Sequence, residues 1–146
     1  MKKLFILLDL VCLFSIYCFL FHYFSPKLII LPTTTAGGDT PSHHYLAFYL
    51  KNYLLPKRKL LGWSPDWYAG FPIFQFYFPL PYLLIVLLSY FIPFLISFKL
   101  ITILGVFSLP ISAYFCMKLM RFKFPVPIMA AIFTLPFLFM ESYTIY

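Results

Sequence analysis

Apolar residues along the chain fall into long runs separated by a single extended polar stretch. The first run, Leu4–Phe24, holds about 21 residues, and at 1.5 Å each a helix of about 20 residues covers the roughly 30 Å of a bilayer's hydrocarbon core. Asp9 lies inside it, about two turns from its start. It is read as an acid near the interface, bonded to water or to a neighbouring helix, rather than as a functional intramembrane acid.

From Ser25 to Gly70 the chain is more polar. Pro26, Pro32, Thr33-Thr34-Thr35 and Gly37-Gly38 all disfavour helix. Asp39-Thr40-Pro41 is then a helix-start signal, a short polar cap followed by proline at the first helical position. A helix is expected over Pro41–Leu55, apolar around much of its circumference through Tyr45, Leu46, Phe48, Tyr49, Leu50 and Tyr53. Lys51, Asn52 and the cluster Lys57-Arg58-Lys59 make its polar end, and Pro56 stops it. That pattern suits a helix lying in the interface with cations reaching phosphates. Gly62–Tyr68 is read as a turn-rich aromatic loop.

Phe71–Ser97 is strongly apolar but interrupted by Pro72, Pro79, Pro81 and Pro93. Its uninterrupted part, Pro81 to Ile96, would be about 24 Å long, which suits an embedded helix about as well as a crossing. Phe98–Leu119 is a second good span and Phe124–Met140 a shorter third. The expected fold is therefore all-α and membrane-integral. Its parts are a helix at 4–24, an external loop at 25–75 with an interfacial helix at 41–55, an embedded or spanning helix at 76–97, and spans at 98–119 and 124–140.

Lys2 and Lys3 place the N-terminus in the cytoplasm by the positive-inside rule. If residues 81–96 only dip into the membrane, the basic turn Lys118-Leu119-Met120-Arg121-Phe122-Lys123 also lies inside. If they cross, it lies outside. Three crossings plus one embedded helix are favoured over four. Lys57-Arg58-Lys59 is external either way, an exception to the rule that a phosphate-binding role would explain.

Composition agrees with the pattern. The 146 residues are 63% hydrophobic and 10% charged, more apolar than a soluble domain of this size can cover. The 20 Phe, 12 Tyr and 2 Trp suit membrane interfaces. The formal net charge of +7 sits in short clusters between apolar runs, which points to anionic headgroups or a lipid-linked phosphate and not to nucleic acid. Cys12, Cys18 and Cys116 all lie in apolar stretches with no CxxC, and are read as small buried hydrophobes. The first run is too long for a signal-peptide core, and bulky Phe19–Tyr23 offers no cleavage site, so a retained anchor in the cell membrane is expected.

Only four acids are present: Asp9, Asp39, Asp66 and Glu141. With three crossings the last three share the outer side. Asp39 and Glu141, each near the end of a membrane-facing segment, could hold a divalent metal, and a carboxylate there could act as a general base. His43, four residues after Asp39, would share its helix face. The plainer alternatives are that Asp39 only caps the helix and that His43 and His44 are interfacial polar residues.

Three stretches, Gly37–His43, Leu61–Pro72 and Phe76–Tyr82, resemble a group of prokaryotic multi-pass membrane proteins, the pyruvoyl-tetrahydropterin-synthase-related membrane domain family. The layout is also similar to the GT-C glycosyltransferases, notably the catalytic subunit of oligosaccharyltransferase. The resemblance covers nearly the whole chain but is specific only at Gly37–His43 and Trp63–Pro81. It implies the N-terminal part of a GT-C-like bundle, with Asp39 as the first-loop acid that binds metal or serves as base. His43 would be the position four later, and Glu141, more loosely, the second-loop acid. Lys57, Arg58 and Lys59 would neutralise the phosphate of a polyprenyl-linked sugar donor. GT-C enzymes carry further spans, so a chain stopping at Tyr146 is expected to be a fragment, inactive without a missing C-terminal half or a partner subunit. The alternative is a non-catalytic membrane protein binding lipid or partner subunits. A transporter fits less well, since the spans hold almost no polar residues to line a path.

Overall fold

The computed structural model describes residues 2–35, 37–66 and 69–138, so Glu141 and its expected role lie outside the described residues. The chain is mostly helical. The described residues form α1 (Lys2–Tyr23), α2 (Pro26–Ile30), α3 (Thr40–Tyr49), α4 (Leu80–Leu88), α5 (Phe94–Leu119) and α6 (Val126–Leu138). Two short strands, β1 (Gly62–Ser64) and β2 (Phe71–Ile73), complete the set. The chain divides into two compact units, one on α1, α2, residues 102–119 of α5 and α6, the other on residues 32–101.

In the first unit α1 turns one stripe inward. Asp9, Ile16 and Leu20 are buried along it and Cys12, Leu13 and Tyr17 half-buried, at the three- and four-residue spacing of a single helix face. The opposite face exposes Leu4, Ile6, Leu7, Leu10, Val11 and Phe14. Leu4–Tyr23 and Phe94–Leu119 are both long and apolar enough to cross a membrane, and only 17% and 22% of their most apolar windows are buried. Core helices of a soluble protein would be covered far more completely. Cys18 and Cys116 correct the expectation of burial: both are exposed and Cys12 is half-buried. Small apolar side chains on such helices need no protein cover where lipid supplies it.

Contacts fix the helix directions within this unit. Asp9 meets Tyr114 and Lys118, whereas Tyr17 and Phe21 meet Phe107, so α1 and this part of α5 run antiparallel. Phe5 stacks on Phe124, and Ile16 and Leu20 share a core with Ile128 and Ala131, so α6 runs parallel to α1. Pro110 supplies no N–H to the preceding turn of α5. Three residues before that proline the Tyr17 hydroxyl donates to the Phe107 carbonyl at 2.7 Å, a polar tie between α1 and α5.

The second unit has its own core of Leu46, Ala47, Tyr49, Leu50, Leu54, Ile73, Phe74, Tyr82, Ile85, Val86 and Phe98. The helix expected at 41–55 is α-helical only from Thr40 to Tyr49. It widens into a π turn over Leu50–Leu54 and tightens to a 3₁₀ turn over Leu55–Lys57. Pro56 shapes this end, because it has no N–H to continue the α pattern. Arg58, in the left-handed region at φ 55°, then reverses the chain. Its N–H bonds the Leu55 carbonyl at 2.9 Å and that of Lys59 the Leu54 carbonyl at 3.0 Å, a Schellman closure.

The expected aromatic loop contains a hairpin instead. β1 and β2 pair antiparallel with Gly62 opposite Ile73, Trp63 opposite Pro72 and Ser64 opposite Phe71. Pro72 is tolerated because a two-stranded hairpin has only edge strands. Gly70, at φ +131°, lies under the Trp63 indole, where a Cβ would overlap the ring.

The helix expected to run from Pro81 to Ile96 is also shorter. α4 has 9 residues, about 13 Å, and ends in a turn before Pro93. Proline disfavours the α conformation in the residue before it, so Ile92 does not carry the helix through. Residues 94–97 instead open α5, which reaches 26 residues.

Asp9 takes two partners through Oδ2, the Lys118 ammonium at 3.0 Å and the Tyr114 hydroxyl at 2.8 Å, while its buried Oδ1 has none among the described residues. Removing Lys118 leaves a buried carboxylate without its cation. Lys118→Met should destabilise the protein by about 1–3 kcal/mol, read as thermal unfolding in detergent micelles. Adding Asp9→Leu should restore most of the loss. Equal stability of Lys118→Met and wild type would remove the pair from the fold's energetics.

Candidate functional site

The site is built at the N-terminal end of α3. Gly37 and Gly38, at φ 110° and 49°, supply the left-handed backbone that turns the chain into the helix. Asp39 follows at the N-cap position, yet its side chain makes no cap bond and is exposed. Only its backbone takes part, its carbonyl accepting the His43 N–H at 3.0 Å. The capping role therefore belongs to the backbone, and the carboxylate is left at the surface.

His43 turns towards α4. Its Nδ1 lies 2.7 Å from the Tyr82 hydroxyl, and its ring packs near those of Tyr77 and Tyr82. Burial, reinforced by Tyr77, pushes the Tyr82 phenol up to about 12, so it keeps its proton. Either atom of this pair can donate, the role of Nδ1 following the His43 tautomer.

The next face of α3 meets the hairpin. The Tyr45 hydroxyl is shared between the Ser64 hydroxyl and Asp66 Oδ2, the latter at 3.1 Å, and the Tyr49 hydroxyl donates to the Trp63 carbonyl at 2.9 Å. Burial raises the Tyr45 phenol above its ordinary value, the bond to Ser64 opposes this and Asp66 reinforces it. Beside these groups lies an open depression of about 230 Å³ lined by Pro41, Ser42, Tyr45 and Asp66. Elsewhere in the unit, buried Lys99 donates to Thr33 Oγ1 at 2.9 Å, tying the threonine run to the start of α5.

The expected site residues are thus only partly assembled. Asp39 and His43 stand one turn apart, joined by a backbone bond, with His43 committed to Tyr82. Lys57, Arg58 and Lys59 are exposed at the far end of the continuous 40–57 helical rod, about 25 Å away at 1.5 Å per residue. They cannot meet the same phosphoryl group as Asp39. For a metal, Asp39 brings one carboxylate, and no group of three or more His, Cys, Asp or Glu able to hold an ion occurs among the described residues. The second carboxylate expected for an ion, Glu141, lies outside the described residues. No family model, curated protein or solved structure matches the chain.

Three features escape a reading by motif. Asp66 joins Tyr45 across 21 positions, and His43 joins Tyr82 across 39, pairings that no local spacing encodes. His44 is the third. Its Nε2 is buried without a hydrogen-bond partner among the described residues, and its ring meets Phe94 and Phe98 edge-on. Burial holds its pKa below the ordinary histidine value. Unfolding then binds a proton that the folded state refuses, so the His44 contribution is whole above about pH 6.5 and is lost as pH falls below it. His44→Phe should remove that part of the loss between pH 7 and pH 5. It should leave stability at pH 7 unchanged or raised by about 1 kcal/mol. Thermal unfolding of both proteins across this range checks it, and parallel pH profiles would refute it.

Proposed function

We propose that the chain is a membrane protein crossing the bilayer three times, with its N-terminus in the cytoplasm and α4 embedded without crossing. The observation that supports this is the antiparallel packing of α1 and α5. A fourth crossing between them would have made the two parallel. In this arrangement Lys2, Lys3 and the basic turn 118–123 share the cytoplasmic side, as the positive-inside rule prefers. In a cysteine-free background, Arg58→Cys should react with a membrane-impermeant maleimide in intact cells, whereas Lys123→Cys should react only after permeabilisation. Labelling of both in intact cells would defeat the topology.

On that scaffold we infer a GT-C-like glycosyl transfer from a polyprenyl-phosphate-linked sugar on the outer face. The observation that carries it is Asp39, an exposed carboxylate freed from capping, two residues before Pro41 in the wall of the depression. Asp39 takes the proton of an acceptor hydroxyl as that oxygen bonds the sugar's anomeric carbon. The bond from that carbon to the phosphate oxygen breaks, and the polyprenyl phosphate leaves with the electron pair. His43, held by Tyr82 through Nδ1, contributes a hydrogen-bonding group near the same helix start. Lys57, Arg58 and Lys59 contact lipid headgroups at the other end of the rod and do not stabilise the leaving phosphate. No step is routed through a metal.

The non-catalytic alternative draws on a different observation, that His43 and Asp66 are each already bonded to a tyrosine and so serve the fold. Sugar transfer by the protein in proteoliposomes separates the two. Asp39→Ala should lower it about 100-fold or more with insertion unchanged, and His43→Gln about tenfold. Undiminished transfer in Asp39→Ala would exclude the base.

A further inference from the structure

The turn that closes α5 carries charge for which glycosyl transfer has no use. α5 has 26 residues and is about 39 Å long, more than the roughly 30 Å of a hydrocarbon core, so its end reaches the headgroup layer. There the Arg121 N–H bonds the Lys118 carbonyl at 3.0 Å and the Phe122 N–H bonds the Met117 carbonyl at 3.1 Å, a Schellman closure. The far end of the turn is fixed as well, by Phe124 stacked on Phe5 of α1 with ring centres 4.9 Å apart.

This closure puts Arg121 in the left-handed region, at φ 64°. Glycine occupies that position of a helix end most readily, because a Cβ is crowded there. An arginine kept in a strained conformation points to a use for its side chain. Charge at the helix end is not that use, since Lys118 already provides the cation favoured in the last turn. Lys118 is itself neutralised, its ammonium 3.0 Å from Asp9 and 5.2 Å from the centre of the Tyr114 ring. Arg121 and Lys123 are exposed, and neither forms an ion pair among the described residues. Asp9, the one acid among this unit's described residues, is buried and committed to Lys118, so it does not oppose an incoming anion.

Apolar side chains are interleaved with these cations. Leu119 is 83% exposed, more than any other large hydrophobic among the described residues, and Met120 and Phe122 are exposed beside it.

We propose that residues 119–123 form a docking site for one anionic phospholipid, its phosphodiester held by Arg121 and Lys123 and its acyl chains meeting Leu119, Met120 and Phe122. Charge complementarity selects the headgroup. The Arg121 guanidinium forks onto two phosphate oxygens, and Lys123 adds a point charge. Exposed leucine and methionine select a lipid over nucleic acid or an acidic protein, whose polar surfaces would not cover them. A zwitterionic lipid carries its own cation and gains less from the pair. The proposal rests on the three-crossing reading only for the leaflet, which that reading makes the cytoplasmic one.

Native mass spectrometry of the full chain, extracted from vesicles of equal phosphatidylglycerol and phosphatidylcholine, reads which lipid stays bound. Phosphatidylglycerol should be retained about twentyfold over phosphatidylcholine, and Arg121→Gly and Lys123→Gln should each lower that ratio about fivefold. Arg121→Gly has a second readout. It removes the left-handed strain, so in neutral detergent its thermal midpoint should be unchanged or raised by about 3 °C. Lipid lost at undiminished stability is not misfolding, which a merely structural arginine would not show. Lys123→Gln, outside the left-handed region, decides the case if Arg121→Gly fails to fold.

Equal retention of the two lipids by the wild type would overturn the proposal, as would a ratio that neither substitution lowers. Displacement of the lipid by equimolar glycerol phosphate would overturn it too, because the apolar side chains would then be idle. Displacement by polyglutamate would assign the turn to an acidic protein instead. If Lys123→Cys is labelled in intact cells while the lipid ratio still falls in both variants, the topology fails and the docking site stands in the other leaflet. Labelling only after permeabilisation, with no lipid preference, would keep the topology and remove the site.

Discussion

A carboxylate placed between two apolar helices has one inexpensive resting position, beside a cation on the neighbouring helix, and Asp9 finds it in Lys118. That pair, with the Tyr114 hydroxyl closing on the same oxygen, holds the start of α1 against the end of α5. The partnership leaves little freedom of direction, since sliding one helix by a turn would separate the charges by about 5 Å. Antiparallel packing of α1 and α5 follows, and with it the proposed placement of the basic turn and the loop region on opposite faces of the bilayer. Aromatic contacts such as Phe21 on Phe107 fill in the seam, but apolar contacts alone would tolerate other registers.

The second unit is held by a different means. Three tyrosines, Tyr45, Tyr49 and Tyr82, each bury a ring or part of one and end in a hydroxyl that must be satisfied. Their partners lie on other elements, those of Tyr45 and Tyr49 in the hairpin region and that of Tyr82 on α3 as His43. Directional bonds of this kind fix where the hairpin and α4 meet α3, while the apolar core beneath supplies the bulk of the stabilisation. The depression exists because Tyr45 holds Asp66 beside the first turn of α3 and keeps it from collapsing onto the surface.

Much of this is legible in the sequence. Apolar length alone marks the two long helices, and Asp39-Thr40-Pro41 marks the start of α3 to within a residue. The inward stripe of α1 is not legible, because both of its faces are apolar and no contrast distinguishes Ile16 from Phe14. The break at residues 89–93 is harder to place: Pro93 marks an interruption, but its effect on Ile92 decides where α5 begins. The hairpin is hidden by brevity, three residues per strand with proline in one of them. Asp39 can be picked out from its helix-start context. Asp66 cannot, since its partner Tyr45 reads from sequence as one more aromatic residue on an apolar helix.

The rod from Thr40 to Lys57 turns a local chemical question into one of height. On the proposed reading, cations at its C-terminal end hold station at the level of lipid phosphates, and Asp39 sits about 25 Å along from them. The angle of the rod to the membrane plane then sets how far the carboxylate stands above the headgroups. Lying flat, it is level with a lipid-borne phosphate. Raised by about 30°, it stands about 12 Å higher, beyond a sugar attached to that phosphate and within reach of soluble molecules alone. Lipid thickness and surface charge, by tilting one helix, would thus decide which molecules this acid can meet.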